Sequence, residues 1–145
     1  MLRALTVQDL VVVRSVDVEF KHGLTVLSGE TGTGKSILIE ALGLALGGRA
    51  DSKLVRAGSE RATVTAVFDL SDASEVRTLL ETHGVNADNE CVLRRVLSKD
   101  GRSRSFCNSS PVSVQLLRQI GAGLVGVGEF VHSVSRLIGF GRCRC

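Results

Sequence analysis

The residues best suited to chemistry in this 145-residue chain form a glycine-rich loop near its amino terminus. They match the spacing G-x-x-x-x-G-K-S and are Gly29, Glu30, Thr31, Gly32, Thr33, Gly34, Lys35 and Ser36. The glycines let the backbone curl so that successive N–H groups converge on phosphate oxygens. We expect the Lys35 ammonium to lie between the β- and γ-phosphates, and the Ser36 hydroxyl to bind Mg²⁺, a hard cation that prefers oxygen ligands. The loop therefore predicts a site for a nucleoside triphosphate, Mg-ATP.

The sequence on either side supplies the elements that such a loop requires. Residues 24–28 are a short apolar run, typical of a buried strand. After Lys35, apolar residues recur every three or four positions and predict a helix; they are Ile37, Leu38, Ala41, Leu42 and Ala45. We expect Gly47 and Gly48 to end this helix, because glycine accepts the left-handed conformation after a last turn. The order strand, loop, helix favours a phosphate site over a chance glycine-rich turn, since the helix start directs its dipole at the anion.

The remaining pattern predicts an α/β fold with a β-hairpin in its sheet. Strands are expected at residues 2–13, 15–20, 61–70, 90–98 and 102–108. Asp100 and Gly101 separate the last two of these strands and are typical of a two-residue hairpin turn.

Two further helices are predicted. The first covers residues 72–83, is capped by Ser71 or Asp72 and stops at Gly84. The second covers residues 112–120 and follows a proline.

The carboxyl-terminal segment is harder to interpret. Residues 124–127 are expected to begin another strand, but residues 126–145 fit neither the helical nor the strand period and have no acidic residue after Glu129. Two interpretations stay open for this segment: a basic tail, or residues that follow a cut in the reading frame or in the true chain.

Composition places the chain among soluble globular proteins. It is 43% hydrophobic and 23% charged, with a formal net charge of +3, which permits a nucleic-acid partner without requiring one. No apolar run reaches membrane-spanning length, so we expect no membrane segment and a cytoplasmic location. The four cysteines lack a disulfide framework spacing and are expected to be reduced thiols. Cys143 and Cys145 cannot complete a tetrahedral zinc site alone.

Seven stretches together resemble a known family. They read LTVQDL at 5–10, VDVEF at 16–20, GLTVLSGETG at 23–32, ALGLALGGRA at 41–50, VRAG at 55–58, LRRV at 93–96 and GRSRSF at 101–106. In this order they resemble the SMC-like ATPases and, within them, the RecN family of bacterial DNA repair proteins. The resemblance covers about residues 1–125 and identifies them as the N-terminal half of an ABC-type ATPase head with the P-loop NTPase fold. Residues 126–145 then form a divergent or truncated tail.

The resemblance implies an ATPase head whose two halves stand at the ends of a long chain and are joined by a coiled coil. It implies that ATP is held between two heads, so that this chain would form a head-to-head dimer with a full-length copy. It also implies DNA as a partner, a role in double-strand-break repair and recombination, and a place on the bacterial nucleoid.

The chain departs from the family where hydrolysis is concerned. Residues 126–130 read GVGEF where the family carries a sensor glutamine, and no glutamine follows Gln119. The Leu-Ser-Gly-Gly signature and an aspartate–glutamate pair after an apolar strand are also missing. We therefore assign no catalytic residue, expect ATP binding without efficient hydrolysis by this chain alone, and leave its status as an enzyme open. The alternatives are a binding-only module that docks on a partner head or on DNA, and a non-functional truncated product.

Three other features have both a functional and a structural interpretation. Asp69 ends an apolar strand, as a Mg²⁺-supporting aspartate would, but the alternation of Thr63 and Thr65 with apolar residues favours a strand-end role. Arg14 and Arg56 are as well explained by solvation as by nucleotide contact. A basic cluster surrounds the hairpin turn and consists of Arg94, Arg95, Lys99, Arg102 and Arg104. This cluster suits DNA phosphates or the nucleotide, but without interleaved aromatic residues a charged edge hairpin is favoured.

Overall fold

The computed structural model describes residues 2–19, 33–71, 73–86 and 88–124, and residues 33–36 by their backbone alone. Its strands are β1 (Leu2–Leu10), β2 (Val13–Glu19), β3 (Arg61–Asp69), β4 (Glu90–Ser98), β5 (Ser103–Cys107) and β6 (Ser110–Val112). Its α-helices are α1 (Thr33–Ala45), α2 (Ser74–Thr82) and α3 (Val114–Leu124), and a 3₁₀ turn covers Ser52–Leu54.

The described strands form one antiparallel sheet in the order β2–β1–β3–β4–β5–β6. Side chains alternate along the central strand β3, so that Ala62, Val64, Ala66 and Phe68 are buried while their neighbours are half-exposed. Successive side chains of a strand point to opposite faces. The sheet therefore has a core face, which carries the buried residues, and an outer face, on which β3 and β4 present no buried residue.

The helices supply the other half of the core. Helix α1 contacts β3, β1 and β4, while α3 contacts α2 and β5. The α1 residues predicted to face inward are all buried, namely Ile37, Leu38, Ala41, Leu42 and Ala45. Burial of an aliphatic side chain as large as Leu or Ile stabilises a fold by about 1.5–3 kcal/mol. The predicted α/β fold with a hairpin in its sheet is confirmed.

The first strand is shorter than predicted, and the second begins two residues earlier than predicted, because the chain turns at Val11 and Val12. Asp9 and Val11 have positive φ angles of 53° and 54°. The Val11 N–H donates to the Leu54 carbonyl at 2.7 Å, and the Arg56 N–H donates to the Asp9 carbonyl at 2.8 Å. These contacts with the segment after α1 hold a backbone that non-glycine residues rarely adopt, which hydrophobic alternation alone does not reveal.

The predicted hairpin between β4 and β5 is confirmed, but its loop is one residue longer than expected. Gly101 has the required positive φ of 95°. The Ser98 N–H donates to the Arg102 carbonyl at 2.8 Å, and the Gly101 N–H donates to the Ser98 carbonyl at 3.0 Å. Lys99, Asp100 and Gly101 therefore form a three-residue loop, with glycine at the left-handed position that this loop type requires.

Helix α3 begins two residues later than predicted. Val112 belongs to β6, a short strand that the sequence pattern did not predict. Ser113 begins the helix instead: its Oγ accepts the Leu116 N–H at 3.1 Å, and its carbonyl accepts the Leu117 N–H at 3.0 Å. Leu124 is the last residue of α3 and does not begin a strand.

Helix α2 is confirmed, but its predicted cap is not. The residue at the N-cap is Ala73, which makes no side-chain capping bond. Ser71 instead donates its N–H to the Asp69 Oδ1 at 2.9 Å, while Asp72 lies outside the described residues. Gly84, with a φ of 71°, follows the helix as predicted.

Residues 126–145, which include Cys143 and Cys145, lie outside the described part of the chain. None of the described helices is long and apolar enough to cross a membrane.

Candidate nucleotide site

The backbone of the predicted phosphate loop enters a helix partway through the motif. Helix α1 begins at Thr33, so the motif residues 33–36 form its first turn. The first four N–H groups of a helix have no partner within it and lie at the positive end of its dipole. A helix that starts inside this motif fits the triphosphate of Mg-ATP, because these N–H groups are the donors that such an anion requires.

The rest of the predicted site lies beyond what the structure describes. Residues 29–32, and the strand expected at 24–28, are outside the described ranges. The contacts predicted for the Lys35 ammonium and the Ser36 hydroxyl stay predictions.

The opposite end of α1 is closed by two glycines, as predicted. Gly47 has a φ of 95°, and its N–H donates to the Leu44 carbonyl at 3.1 Å. The Gly48 N–H donates to the Gly43 carbonyl at 2.8 Å. This pair of bonds is the Schellman motif, in which a left-handed residue, here glycine, lets the chain satisfy the last carbonyls of a helix.

Two arginines donate hydrogen bonds to backbone carbonyls at this end of the helix. Arg95 on β4 is only 2% exposed, and its Nη1 donates to the carbonyls of Leu44 at 3.2 Å and Gly48 at 3.0 Å. Arg118 on α3 donates through Nε to the Gly47 carbonyl at 2.9 Å. Burial, and secondarily the positive charge of Arg118, lowers the pKa of Arg95.

The position of Arg95 corrects the interpretation of the hairpin as a five-residue basic cluster. On β4 the residues Cys91, Leu93, Arg95 and Leu97 all face the core. The other four basic residues are exposed, namely Arg94, Lys99, Arg102 and Arg104. Successive side chains of a strand point to opposite faces, and this alternation along β4 is the sequence signal that assigns Arg95 to the core face and Arg94 to the outer face.

Asp69 has the strand-end role that its surroundings predicted. It lies at the end of β3 and alternates with the buried Phe68, so it belongs to the outer face of the sheet, whereas α1 packs on the core face. Its Oδ1 accepts the Ser71 N–H at 2.9 Å, and its Oδ2 lies 3.5 Å from Nη2 of Arg3. This carboxylate supports a turn and an ion pair away from α1.

Arg56 and Arg14 differ in their surroundings. The Arg56 Nε lies 3.3 Å from the Asp9 Oδ1, so this side chain ties the corner after β1 to the segment after α1. Arg14 lies exposed on β2.

Two further features lie outside the nucleotide site. An open polar cavity of about 780 Å³ lies where β3 ends and β4 begins, beside Arg3, Asp69 and Glu90. No group of three His, Cys, Asp or Glu side chains within the described ranges could hold a metal ion.

Cys91 and Cys107 are buried free thiols whose Sγ atoms lie 3.6 Å apart. The hydrogen bond between them, and then burial, raises the pKa of Cys91, which keeps this thiol protonated.

Comparison with known proteins points to one family. The model of the AAA domain family matches residues 4–127. The chain is 42% identical to the DNA repair protein RecN of Vibrio cholerae over 133 residues, which cover 91% of this chain and 24% of that protein. It is 44% identical to RecN of Haemophilus influenzae, with coverage of 88% and 23%, and 37% identical to RecN of Bacillus subtilis, with coverage of 88% and 22%. The chain thus spans about a quarter of the length of the curated relatives it matches.

Solved structures give the same fold. An Smc head bound to the C-terminal winged-helix domain of ScpA superimposes with a TM-score of 0.69 at 26% identity, over 86% of this chain and 40% of that one. The recombination mediator protein RecF with ATP superimposes with a TM-score of 0.57 at 20% identity, over 77% of this chain and 27% of that one. With the AAA match over most of its length, the RecN relatives and the Smc head fold, the chain belongs to the AAA domain family as a RecN-like member.

Proposed function

We propose that this chain is the Mg-ATP-binding part of a RecN-like protein that acts in DNA double-strand-break repair and recombination. One observation carries the proposal: α1 begins inside the G-x-x-x-x-G-K-S motif. The strand that the sequence predicts before the motif and the similarity to RecN proteins support it. We assign the protein to the bacterial cytoplasm, on the nucleoid.

The chemistry of the site divides between backbone and side chains. The N–H groups of residues 33–36 hold phosphate oxygens at the positive end of α1. In our proposal the Lys35 ammonium would neutralise the β- and γ-phosphates, and the Ser36 hydroxyl would hold Mg²⁺. The bound magnesium ion would withdraw charge from the phosphates.

Hydrolysis needs more than a phosphate cradle. Phosphoryl transfer requires an oriented water and further electrostatic groups around the γ-phosphate. The sequence contains no Leu-Ser-Gly-Gly signature and no glutamine after Gln119. We therefore propose that this chain binds ATP but hydrolyses it poorly alone, and that a head-to-head dimer with a full-length copy supplies the missing groups.

A thermal melt with and without Mg-ATP tests the nucleotide site directly. When a ligand binds only the folded state and its concentration is about 100 times its Kd, it stabilises that state by about 2.7 kcal/mol. For a domain of this size we expect the Tm to rise by about 5–10 °C. The Lys35→Ala variant should lose most of this shift, whereas Lys53→Ala, which changes an exposed lysine in the 3₁₀ turn, should keep it. An equal shift in Lys35→Ala, or no shift in the parent chain, would contradict the proposed site.

A second candidate function is a binding module for DNA. The observation in its favour is a set of arginines on the outer face: Arg94 and Arg104 are exposed on the neighbouring strands β4 and β5, and Arg61 is exposed at the start of β3, opposite Ser98. Arginine guanidinium groups suit phosphate oxygens in both charge and geometry.

A further inference from the structure

We propose that Arg95 is a positioning residue of the nucleotide site, which fixes the phosphate-binding helix α1 by hydrogen-bonding its carboxyl end. The inference rests on the proposed ATP site at the amino end of the same helix. Arg95 lies on the core face of β4 and belongs to an element that carries no part of the phosphate motif.

The carboxyl end of a helix leaves carbonyl groups without partners, and these groups need donors when they are buried. The Arg95 Nη1 donates to two carbonyls at this end: Leu44 O at 3.2 Å, which also accepts the Gly47 N–H, and Gly48 O at 3.0 Å, just beyond the last helical residue. Its Nη2 lies 3.4 Å from the Ser103 Oγ, a contact that holds the guanidinium plane on β5. Because a guanidinium presents its donors in a rigid plane, these contacts fix the helix end in direction as well as in distance.

The charge of Arg95 is balanced by the helix itself. The ion pairs among the described residues involve Arg3, Arg56 and Arg102, and none involves Arg95. A cation at the negative end of the helix dipole is stabilising. A buried arginine with carbonyls as its partners and no carboxylate beside it is therefore suited to holding a helix end.

A second element touches the same point. Arg118 donates to Gly47 O at 2.9 Å, and a Cβ added at Gly47 would lie 3.0 Å from the Arg118 backbone nitrogen. A Cβ added at Gly121 would lie 3.1 Å from the Leu46 carbonyl oxygen. Helix α3 thus lies directly against the end of α1 that Arg95 of β4 also contacts.

These contacts have a consequence for the amino end of α1. A helix of 13 residues is a stiff rod about 20 Å long, since each residue adds about 1.5 Å. A displacement of its carboxyl end therefore moves the N–H groups of residues 33–36. Phosphate binding depends on these groups being placed to within a fraction of an ångström, so Arg95 acts on the nucleotide through α1.

The test compares Arg95→Met with Arg49→Met, which removes an exposed arginine after the same end of α1. Mg-ATP affinity is measured at a temperature where denaturant melts show each variant to be fully folded, so that loss of stability alone leaves Kd unchanged. We expect Kd to rise by about tenfold for Arg95→Met and to stay at the parent value for Arg49→Met. Amide hydrogen exchange without ATP should quicken in α1 more than in α2 for Arg95→Met.

Each outcome decides a different question. A parent-like Kd in folded Arg95→Met would overturn the positioning role and leave the nucleotide site intact. Failure of the parent chain to bind Mg-ATP would overturn the proposed function, and the positioning role would fall with it. If Arg95→Met does not fold, Arg95→Lys serves in its place: a lysine keeps the charge but lacks the planar fork, and we expect a Kd between those of the parent and a tenfold-weaker variant. A Kd equal to that of the parent for a folded Arg95→Lys, with unchanged exchange in α1, also overturns the positioning role.

Discussion

Asp69 illustrates how a single carboxylate can support a fold through its charge. Its Oδ1 accepts the Ser71 N–H, and its Oδ2 lies near the Arg3 guanidinium. Both contacts favour the ionised carboxylate. The hydrogen bonds from Ser71, and to a smaller degree the charge of Arg3, hold the pKa of Asp69 below its ordinary value of 3.8.

This lowered pKa predicts a pH dependence of stability. A carboxylate whose pKa is lower in the folded state stabilises the fold above its unfolded-state pKa, here near 3.8, and the stabilisation is lost as the pH falls below that value. Asp69→Asn should therefore lower the free energy of unfolding at pH 7, and the difference from the parent should shrink towards pH 3. Urea denaturation of both proteins at the two pH values measures this. The control is Asp17→Asn, an exposed carboxylate on β2; a pH-independent difference for Asp69→Asn would contradict the prediction.

The sequence predicted some residue roles and not others, for a physical reason. The strand-end role of Asp69 followed from local alternation, because Thr63 and Thr65 mark the outer face of β3. The role of Arg95 depends on Leu44 O, which belongs to a residue 51 positions earlier in the chain. Alternation indicates that Arg95 faces the core, but nothing local indicates which carbonyls it meets there.

At the scale of elements, the end of α1 shows how tightly one junction is packed. Gly47 combines a φ of 95° with a close neighbour, since an added Cβ would lie 2.5 Å from the Arg118 Cγ and 3.0 Å from its backbone nitrogen. Gly58 has a similar φ of 88° with nothing within 4 Å of an added Cβ. Alanine at Gly58 would therefore lose stability only through its backbone conformation, whereas alanine at Gly47 would lose stability through both its backbone conformation and its contact with Arg118.

Alanine substitutions at these two positions should differ clearly in stability. Gly58→Ala carries only the left-handed backbone cost, about 1–2 kcal/mol. Gly47→Ala adds the displacement of α3 from α1, and we expect a total loss of about 2–5 kcal/mol. The free energies of unfolding, from chemical denaturation of the parent and the two variants, provide the measurement. Equal losses at the two positions would mean that α3 shifts away from Gly47 at no cost.

Periodicity predicted the elements better than it predicted their ends. The core-facing residues of α1 and β3 followed from 3.6- and 2-residue spacing, because burial decides those positions. The corner after β1 depends on the Leu54 carbonyl, which accepts the Val11 N–H from across the fold. The start of α3 depends on which nearby side chain caps it, and Ser113 rather than the preceding proline does so. The amino half of the phosphate motif, residues 29–32, rests on the sequence alone.

At the scale of the whole molecule, the described part of the sheet is asymmetric. Its core face carries the helices, whereas none of the outer-facing residues of β3 and β4 is buried. The outer face is also unevenly charged. Arg94 lies at the middle of β4 and Arg104 lies nearer the hairpin, whereas Glu90 and Asp69 lie opposite each other at the other end. A polyanion would therefore be attracted to Arg94 and Arg104, whereas the arginine at the other end, Arg3, is already paired with carboxylates.

This asymmetry predicts where DNA would contact the chain. The double variant Arg94→Gln, Arg104→Gln removes two positive charges that would contact phosphates. It should bind duplex DNA more weakly and reduce the magnitude of the slope of log K against log salt by about 1.8. Arg49→Gln removes an exposed arginine that follows α1 and belongs to none of the strands of the sheet, and should leave that slope unchanged. Fluorescence anisotropy with one labelled duplex at several salt concentrations provides the measurement. If all three proteins show the same slope, the hairpin arginines do not touch DNA, and their charge serves only to keep the hairpin edge from pairing with other strands.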